Sequence, residues 1–331
     1  MIITRTPFRI SFFGGGTDYP AWYRSHGGAV LATTINKYCY ITCRRLPQFF
    51  SHKHRIVYSR IENVHNNDEI EHPSVRAVLN WAKISEGLEI HHDGDLPARS
   101  GLASSSAFTV GLVHALYGLR GEMVSRDILA KDAIHIEQDI IGESVGSQDQ
   151  VSAAYGGLNR IEFRRDDSFD VAPIIIPELR REEFRDHLML CFTGFSRIAD
   201  AIEKSKIDNI KDHETAYRRM REMVDEGVSI LTDSHIRIDE FGNLLDQAWQ
   251  CKRTLSDRVS TPEVDQIYEE AVRAGAIGGK ILGAGGGGFM LLFAKPENQA
   301  RIRERLRGLV HVSFKFDDSG SRVVLYQPNG L

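Results

Sequence analysis

The segment Pro97-Ala98-Arg99-Ser100-Gly101-Leu102-Ala103-Ser104-Ser105-Ser106-Ala107 is nearly free of bulky side chains and runs into an apolar pattern at helical spacing, Val110, Val113, His114 and Tyr117. A stretch of that kind has few places in a folded protein. It predicts an open backbone loop delivered to the first turn of a helix over residues 104–119. Backbone N–H groups in such a loop approach a ligand closely, and the positive end of the helix dipole points at the same spot, so the combination suits a phosphate. Serine hydroxyls at the helix start also offer the hard oxygen ligands that Mg²⁺ prefers. A tight helix start with no ligand would use the same residues. The first functional expectation is a nucleotide-dependent phosphoryl transferase.

At 331 residues the chain is long enough for two domains with their own cores, and we expect them at 1–190 and 191–331. A net charge of −4 argues against a nucleic-acid partner, which would call for a basic chain. No apolar run approaches the roughly 20 residues that span a bilayer. The opening residues are interrupted by Arg5 and Pro7 before a signal-peptide core can form. The expectation is therefore no membrane partner and a cytoplasmic location. Cys39, Cys43, Cys191 and Cys251 fit no zinc or redox spacing and read as reduced, structural thiols.

Strand signals fall at 2–6, 8–13, 27–31, 38–44, 55–59 and 88–92, and helical spacing at 74–83, 104–119 and 125–141. In the last of these Ile128, Leu129, Ile136 and Ile140 read as a buried stripe, whose flanking Ile136 and Ile140 favour a half-buried Glu137 over a solvated one. Residues 160–190 read as strand, proline-bounded connection and strand; 200–257 are charged and helical. A helix at 262–275, a glycine loop at 278–288, a strand at 289–294, a helix near 298–309 and strands at 310–316 and 322–326 close the chain. Within the loop, residues 283–288 form a run of glycines with a single alanine, an entropically costly sequence for a mere turn.

Neither glycine-rich segment matches a Walker A or dinucleotide-binding pattern, and each alone is weak evidence. Their joint order is more specific. Thr6-Pro-Phe-Arg9-Ile-Ser-Phe-Phe-Gly14-Gly-Gly-Thr-Asp18-Tyr19 comes first, residues 97–107 second, and Lys280-Ile-Leu-Gly-Ala-Gly-Gly-Gly-Gly288 last. The trio resembles the three signatures of the GHMP small-molecule kinase superfamily across essentially the whole chain. That resemblance implies an α+β, two-domain GHMP kinase fold, with a ribosomal-S5-domain-2-like N-terminal domain and a ferredoxin-like C-terminal domain. It implies ATP and Mg²⁺ as cofactors and in-line transfer without a phospho-enzyme. Ser100, Gly101, Leu102, Ala103, Ser104, Ser105 and Ser106 would cradle the ATP phosphates, and Ser105 or a neighbour would join Glu137 on Mg²⁺. Asp149 matches the catalytic aspartate, as base or orienting group, and Arg9 the first-motif arginine beside it. On residues alone, Glu137 could lie on a solvated helix face and Arg9 in an ordinary surface pair.

Gly15, Gly16, Thr17 and Asp18 occupy the acceptor-binding motif, with Asp149, Gly285 and Gly286 completing the substrate set. Thr17-Asp18-Tyr19 is retained from sugar kinases, whose aspartate accepts hydrogen bonds from ring hydroxyls; charged acceptors make the stronger bonds. Two glycines stand where galactokinases carry Glu-His, which argues against galactose itself and for a different carbohydrate, with room for a larger one. This form is similar to D-glycero-D-manno-heptose 7-phosphate kinases, implying transfer to the anomeric oxygen on the way to nucleotide-activated heptose for surface polysaccharide. A phosphorylated acceptor needs its own clamp. Thr193, Gly194, Ser196 and Arg197 are one expectation for it, and Arg44-Arg45 or His52-Lys53 are others. The histidines lack ligand spacing for a transition metal. An anomeric kinase of a free sugar such as fucose or galactose, and a non-catalytic sugar and nucleotide sensor, are the rival readings. The partner is a sugar or sugar phosphate, and a homodimer is left open.

Overall fold

The computed structural model describes residues 1–98, 100–194 and 199–328. Strand β1 (Ile2–Phe13) is buried on both faces from Thr6 onward, with Phe8, Ile10, Phe12 and Phe13 in the core and Thr6, Arg9 and Ser11 buried beside them. Pro7, which divides the strands expected at 2–6 and 8–13, interrupts neither. The register against β2 (Gly28–Arg45) shifts between Pro7 and Phe8, and such a bulge accommodates a residue with no N–H to donate. β2 likewise joins the strands expected at 27–31 and 38–44 into one ribbon, with Cys39 and Cys43 buried on it as free thiols.

Strands β3 (His54–Val57), β4 (Ile61–Val64), β5 (Leu88–Gly94), β6 (Asn159–Phe163) and β7 (Phe169–Pro173) extend this first sheet beyond β2. Helices α1 (Pro20–His26), α2 (Pro73–Trp81), α3 (Ser104–Arg120), α4 (Arg126–His135) and α5 (Gln148–Tyr155) belong to the same half. α3 lies close on the sheet because its contact face is small: the Gly111 carbonyl accepts from Thr4 Oγ1 at 2.9 Å, and a Cβ on Gly118 would meet Ile2 at 3.2 Å.

The second half begins with α6 (Glu178–Asp186) and β8 (Leu188–Phe192), followed by α7 (Ala199–Asp208), α8 (Glu214–Thr232), α9 (Asp239–Arg253) and α10 (Pro262–Arg273). β9 (Ala276–Ile281), β10 (Phe289–Ala294), α11 (Pro296–Arg305) and β11 (Val310–Val312) complete it. The strand order β11-β8-β10-β9 is antiparallel throughout. A β-α-β-β-α-β succession with the fourth and first strands adjacent is the ferredoxin-like arrangement. The chain then returns: β12 (Phe316–Asp317) pairs with β2, and β13 (Arg322–Tyr326) with β1. A division at 190/191 thus cuts through β8 and leaves these last two strands with the wrong sheet.

Alternation along β10 shows how the halves are packed. Phe289, Leu291 and Phe293 face a large apolar cluster that contains the β1 core, while Met290, Leu292 and Ala294 face a second one with Trp249, Tyr268 and Ile302. Phe12 of β1, Phe184 of α6 and Phe241 of α9 meet with ring centroids 4.6–5.4 Å apart, a junction drawn from both halves.

Two local expectations are corrected. Residues 278–280 are strand, part of β9, where the glycines let α9 approach: a Cβ on Gly278 would lie 2.1 Å from the Gly242 carbonyl oxygen. The helix expected at 125–141 becomes a π-helix over Ile136–Ile141. That wider turn shifts the face, so Leu129 and Ile136 are buried whereas Ile140 is 42% exposed; Ile128, at the stripe's edge, is 47% exposed. Among the described residues no helix is long and apolar enough to cross a membrane.

Candidate active site

A cavity opens where β1, the turn after it, the start of α3 and the start of α5 face α7, α9 and the glycine loop after β9. Arg9 lines it. Its Nε and Nη2 each donate to one carboxylate oxygen of Asp149 at 2.8 Å, and its Nη1 donates to the Gly101 carbonyl at 2.8 Å. The fork geometry fixes the carboxylate plane, and each oxygen keeps a lone pair for a further donor. Arg9 is 4% exposed and Asp149 26%, so the pair is buried on the protein side and open on the cavity side. The expected surface-pair alternative for Arg9 does not apply.

The serine loop meets this pair directly. Gly101 (φ +87°) and Ala103 (φ +65°) adopt the left-handed region, Ala103 at a cost on the order of 1 kcal/mol. This turns the wall formed by Gly101, Ala103, Ser104, Ser105 and Ser106 toward the cavity at the N-terminus of α3, whose first turn holds no acidic residue. Ser100 and Leu102 do not line that wall. Their carbonyls accept from the N–H groups of Phe289 (3.1 Å) and Arg9 (3.2 Å), which anchor the loop to both halves. The third-motif loop closes on it so tightly that a Cβ on Gly283 would lie 2.5 Å from the Gly101 Cα. Gly285 and Gly287 line the cavity, whereas the Gly286 N–H is turned away to the Val259 carbonyl.

Glu137 is fully buried rather than half-buried. One oxygen, Oε2, accepts from Ser106 Oγ at 2.8 Å and from the Gln150 amide; the other, Oε1, has no hydrogen-bond partner. Burial pushes its carboxyl up to about 7. An orphaned carboxylate oxygen, with the Ser106 hydroxyl on its partner oxygen, is a hard-oxygen pair that fits Mg²⁺, which takes one or two carboxylates and completes its shell with phosphate oxygens and water, although Glu137 itself does not line the cavity. The hydroxyl that meets Glu137 belongs to Ser106; Ser105 stands exposed at the cavity wall.

The first-motif turn divides its residues. Gly15, Gly16, Asp18 and Tyr19 line the cavity. Thr17 is fully buried away from it, donating to the Gly14 and Ala29 carbonyls at 2.8 Å. Asp18 is already engaged: Oδ1 accepts from the Gly16 N–H (2.7 Å) and Gln148 Nε2 (3.1 Å), and Oδ2 from the Gln148 N–H (3.2 Å). Burial raises its carboxyl to about 6 against these N–H bonds. Asp18 therefore positions the first turn of α5, which carries Asp149, in addition to lining the cavity.

Sequence reasoning missed three lysines and a glutamate in the cavity lining: Lys206 and Glu203 of α7, Lys252 of α9 and Lys280 of β9. Lys206 and Lys252 sat in a charged helical stretch where nothing distinguishes an inward lysine from a solvated one. Lys280 opens the third motif, but the glycines drew the reading. The clamps expected for a substrate phosphate fare differently. Arg44 and Arg45 pair with Glu89 and Glu86 outside the cavity, which His52 and Lys53 do not line. Thr193 anchors the third loop through the Gly288 carbonyl, and Arg197 and Ser196 lie outside the described residues.

An anion cradle at a helix start, a fixed carboxylate open to a cavity and a facing glycine loop define a small-molecule kinase cleft. Residues 72–157 match the GHMP kinases N terminal domain and residues 231–311 the GHMP kinases C terminal domain; the chain belongs to the GHMP kinases. It is 30% identical to the D-glycero-alpha-D-manno-heptose 7-phosphate kinase of Campylobacter jejuni over 92% of this chain and 93% of that one. It is 25% identical to the galactokinase of Pyrococcus furiosus over 92% and 94%. A crystal structure of a D-glycero-D-manno-heptose 1-phosphate kinase from Bacteroides thetaiotaomicron shares the fold, with a TM-score of 0.79, 22% identity and 98% of each chain covered.

Proposed function

We propose that this kinase transfers the γ-phosphoryl group of ATP to the anomeric hydroxyl of D-glycero-D-manno-heptose 7-phosphate, giving the 1,7-bisphosphate for nucleotide-activated heptose and surface polysaccharide. The observation that carries the reading is the Arg9–Asp149 fork, set between the serine loop and the Gly-Gly-Gly-Thr-Asp-Tyr turn. The similarity to the Campylobacter jejuni enzyme over nearly the full length supports the acceptor.

In this reading the backbone N–H groups of the serine loop and the dipole of α3 receive the triphosphate. Glu137 and Ser106, with Ser105 at the same helix start, would hold the Mg²⁺, which would supply charge to neutralise the phosphate oxygens. The anomeric O–H donates to Asp149, which orients it and takes its proton as the oxygen–phosphorus bond forms. The bond to the bridging oxygen breaks in line, and ADP leaves with that electron pair. Arg9 keeps Asp149 in place and lends positive charge to the transferring group.

Coupled ATPase measurements with a panel of sugars and sugar phosphates test the assignment. The expected result is the largest kcat/KM for heptose 7-phosphate. A larger value for unphosphorylated fucose or galactose replaces the acceptor, and no acceptor-dependent ATP consumption at all would leave a sensor.

A further inference from the structure

The cavity lining holds more basic side chains than its carboxylates match. Among the described lining residues, Arg9, Lys206, Lys252 and Lys280 face Asp18, Asp149 and Glu203. Arg9 is matched by Asp149, and Lys206 Nζ by Glu203 Oε2 at 2.7 Å. Lys252 and Lys280 have no carboxylate partner among the described residues. Lys252 Nζ donates to the Ile281 (2.9 Å) and Gly283 (2.5 Å) carbonyls, and Lys280 Nζ to the Phe12 carbonyl (2.8 Å). All three lysines are at most 6% exposed. Buried ammonium groups facing only backbone carbonyls are costly, and an ammonium with three N–H donors leaves Lys280 with two to give.

We propose that Lys206, Lys252 and Lys280 form a phosphate-binding subsite that holds the acceptor's own phosphomonoester, separate from the cradle for the ATP phosphates. The placement of the lysines sets the source of that phosphate. Lys206 Nζ lies 5.6 Å over the Tyr19 ring, in the acceptor turn, and Lys280 is tied to Phe12 on the stem of the same turn. The triphosphate cradle, residues 101–106, lines the same cavity and meets the glycine loop where Gly283 packs on Gly101. Lys252 holds the glycine loop through the Gly283 carbonyl. A dianion would match the two lysines that lack carboxylates. Burial, reinforced by Arg9 and Lys206, pushes the Lys280 ammonium down to about 7, and burial with Lys280 and Lys206 pushes Lys252 well down. An anion among them reverses the shift, so its binding above pH 7 draws in protons.

This inference rests on the kinase reading above and sharpens its acceptor. The test compares wild type with Lys206→Met and Lys280→Met, and with Lys206→Arg as the charge-retaining control. KM and kcat are measured for heptose 7-phosphate, for unphosphorylated heptose and for ATP. Each Met variant is expected to lose on the order of a hundredfold in kcat/KM for the phosphorylated acceptor. The ATP KM and the values for free heptose stay within about threefold, and Lys206→Arg recovers most of the loss. An equal rise in the ATP KM would assign the lysines to the triphosphate, and equal losses for both sugars would leave them a purely structural role; either overturns the subsite. If the wild type turns over no sugar phosphate, the acceptor assignment falls, and titration calorimetry with inorganic phosphate on enzyme saturated with a non-hydrolysable ATP analogue decides the subsite by itself. Binding with proton uptake at pH 8 that Lys280→Met abolishes supports it, and no binding overturns it.

Discussion

Among the described residues, Asp149 receives its hydrogen bonds from one guanidinium, so replacing it separates chemistry from architecture. Asp149→Asn keeps the shape but turns an amide N–H₂ toward Arg9. We expect kcat to fall on the order of a hundredfold or more with the ATP KM nearly unchanged. Stability in urea should drop by roughly 2 kcal/mol, below the full cost of breaking a buried pair because the carboxylate is partly solvated. An unchanged kcat would remove Asp149 from the chemistry. Asp18 tests the electrostatics by pH. Its carboxyl is raised from 3.8 to about 6 chiefly by burial, so folding takes up a proton between those values. A raised folded-state value contributes stability that is present at low pH and lost as pH rises through about 6. The stability of Asp18→Asn relative to wild type should therefore rise by a few kcal/mol between pH 4 and pH 7.5 in paired urea titrations; a flat or falling difference would refute the assignment. The motif spelled out both aspartates, but not their different employment. Which oxygens are already filled depends on Gln148 and Gly16, and on Gly146, where a Cβ would strike Asp18 Oδ2 at 1.9 Å. Such crowding is invisible in one dimension.

Among the elements, the two glycine loops are each other's steric constraint. Gly283 (φ +67°) has no room for a Cβ against Gly101, and Gly101 (φ +87°) would place one 2.5 Å from the Leu282 carbonyl oxygen. Gly283→Ala combines backbone strain of about 1–3 kcal/mol with displacement of the serine loop. The expected outcome is a rise of tenfold or more in the ATP KM; wild-type kinetics would show that the loops need no such contact. The π-helix makes a sharper contrast. Ile136→Ala empties a fully buried site and should cost about 2–5 kcal/mol, while Ile140→Lys on the exposed side should stay within about 0.5 kcal/mol, both read from chemical denaturation. Equal penalties would contradict the shifted face. Strands β10 and β13 begin and end where the sequence reading placed them, because β-branched and aromatic runs bounded by turn residues are local signals. β9 was not legible: its glycines answer to the backbone of α9, a contact made through space, and local composition reports only a loop. The π-turn was hidden for a related reason, since periodicity assumes a constant rotation per residue.

At the scale of the whole molecule, the kinase class was legible because three motifs far apart in sequence line one cavity, while the lysines were not, because α7, α9 and β9 supply one isolated lysine each. The same nonlocality bears on how the chain folds. β12 and β13 are made last yet complete the sheet of β1 and β2, and Phe12 packs on Phe184 and Phe241 from either side of residue 190. Removing residues 191–331 would strip β1 of its β13 partner, expose the Phe12–Phe184 junction and leave β8 without β10 and β11. Apolar surface of that extent cannot be left to water without losing more stability than a domain of this size usually has in reserve. The excised fragment 1–190 should therefore lack a cooperative melt by circular dichroism and aggregate, while the full chain unfolds in a single calorimetric transition. A fragment that melts cooperatively, or two separated transitions in the intact protein, would show that the two sheets are independent units and that the cleft between them is assembled only after each has folded.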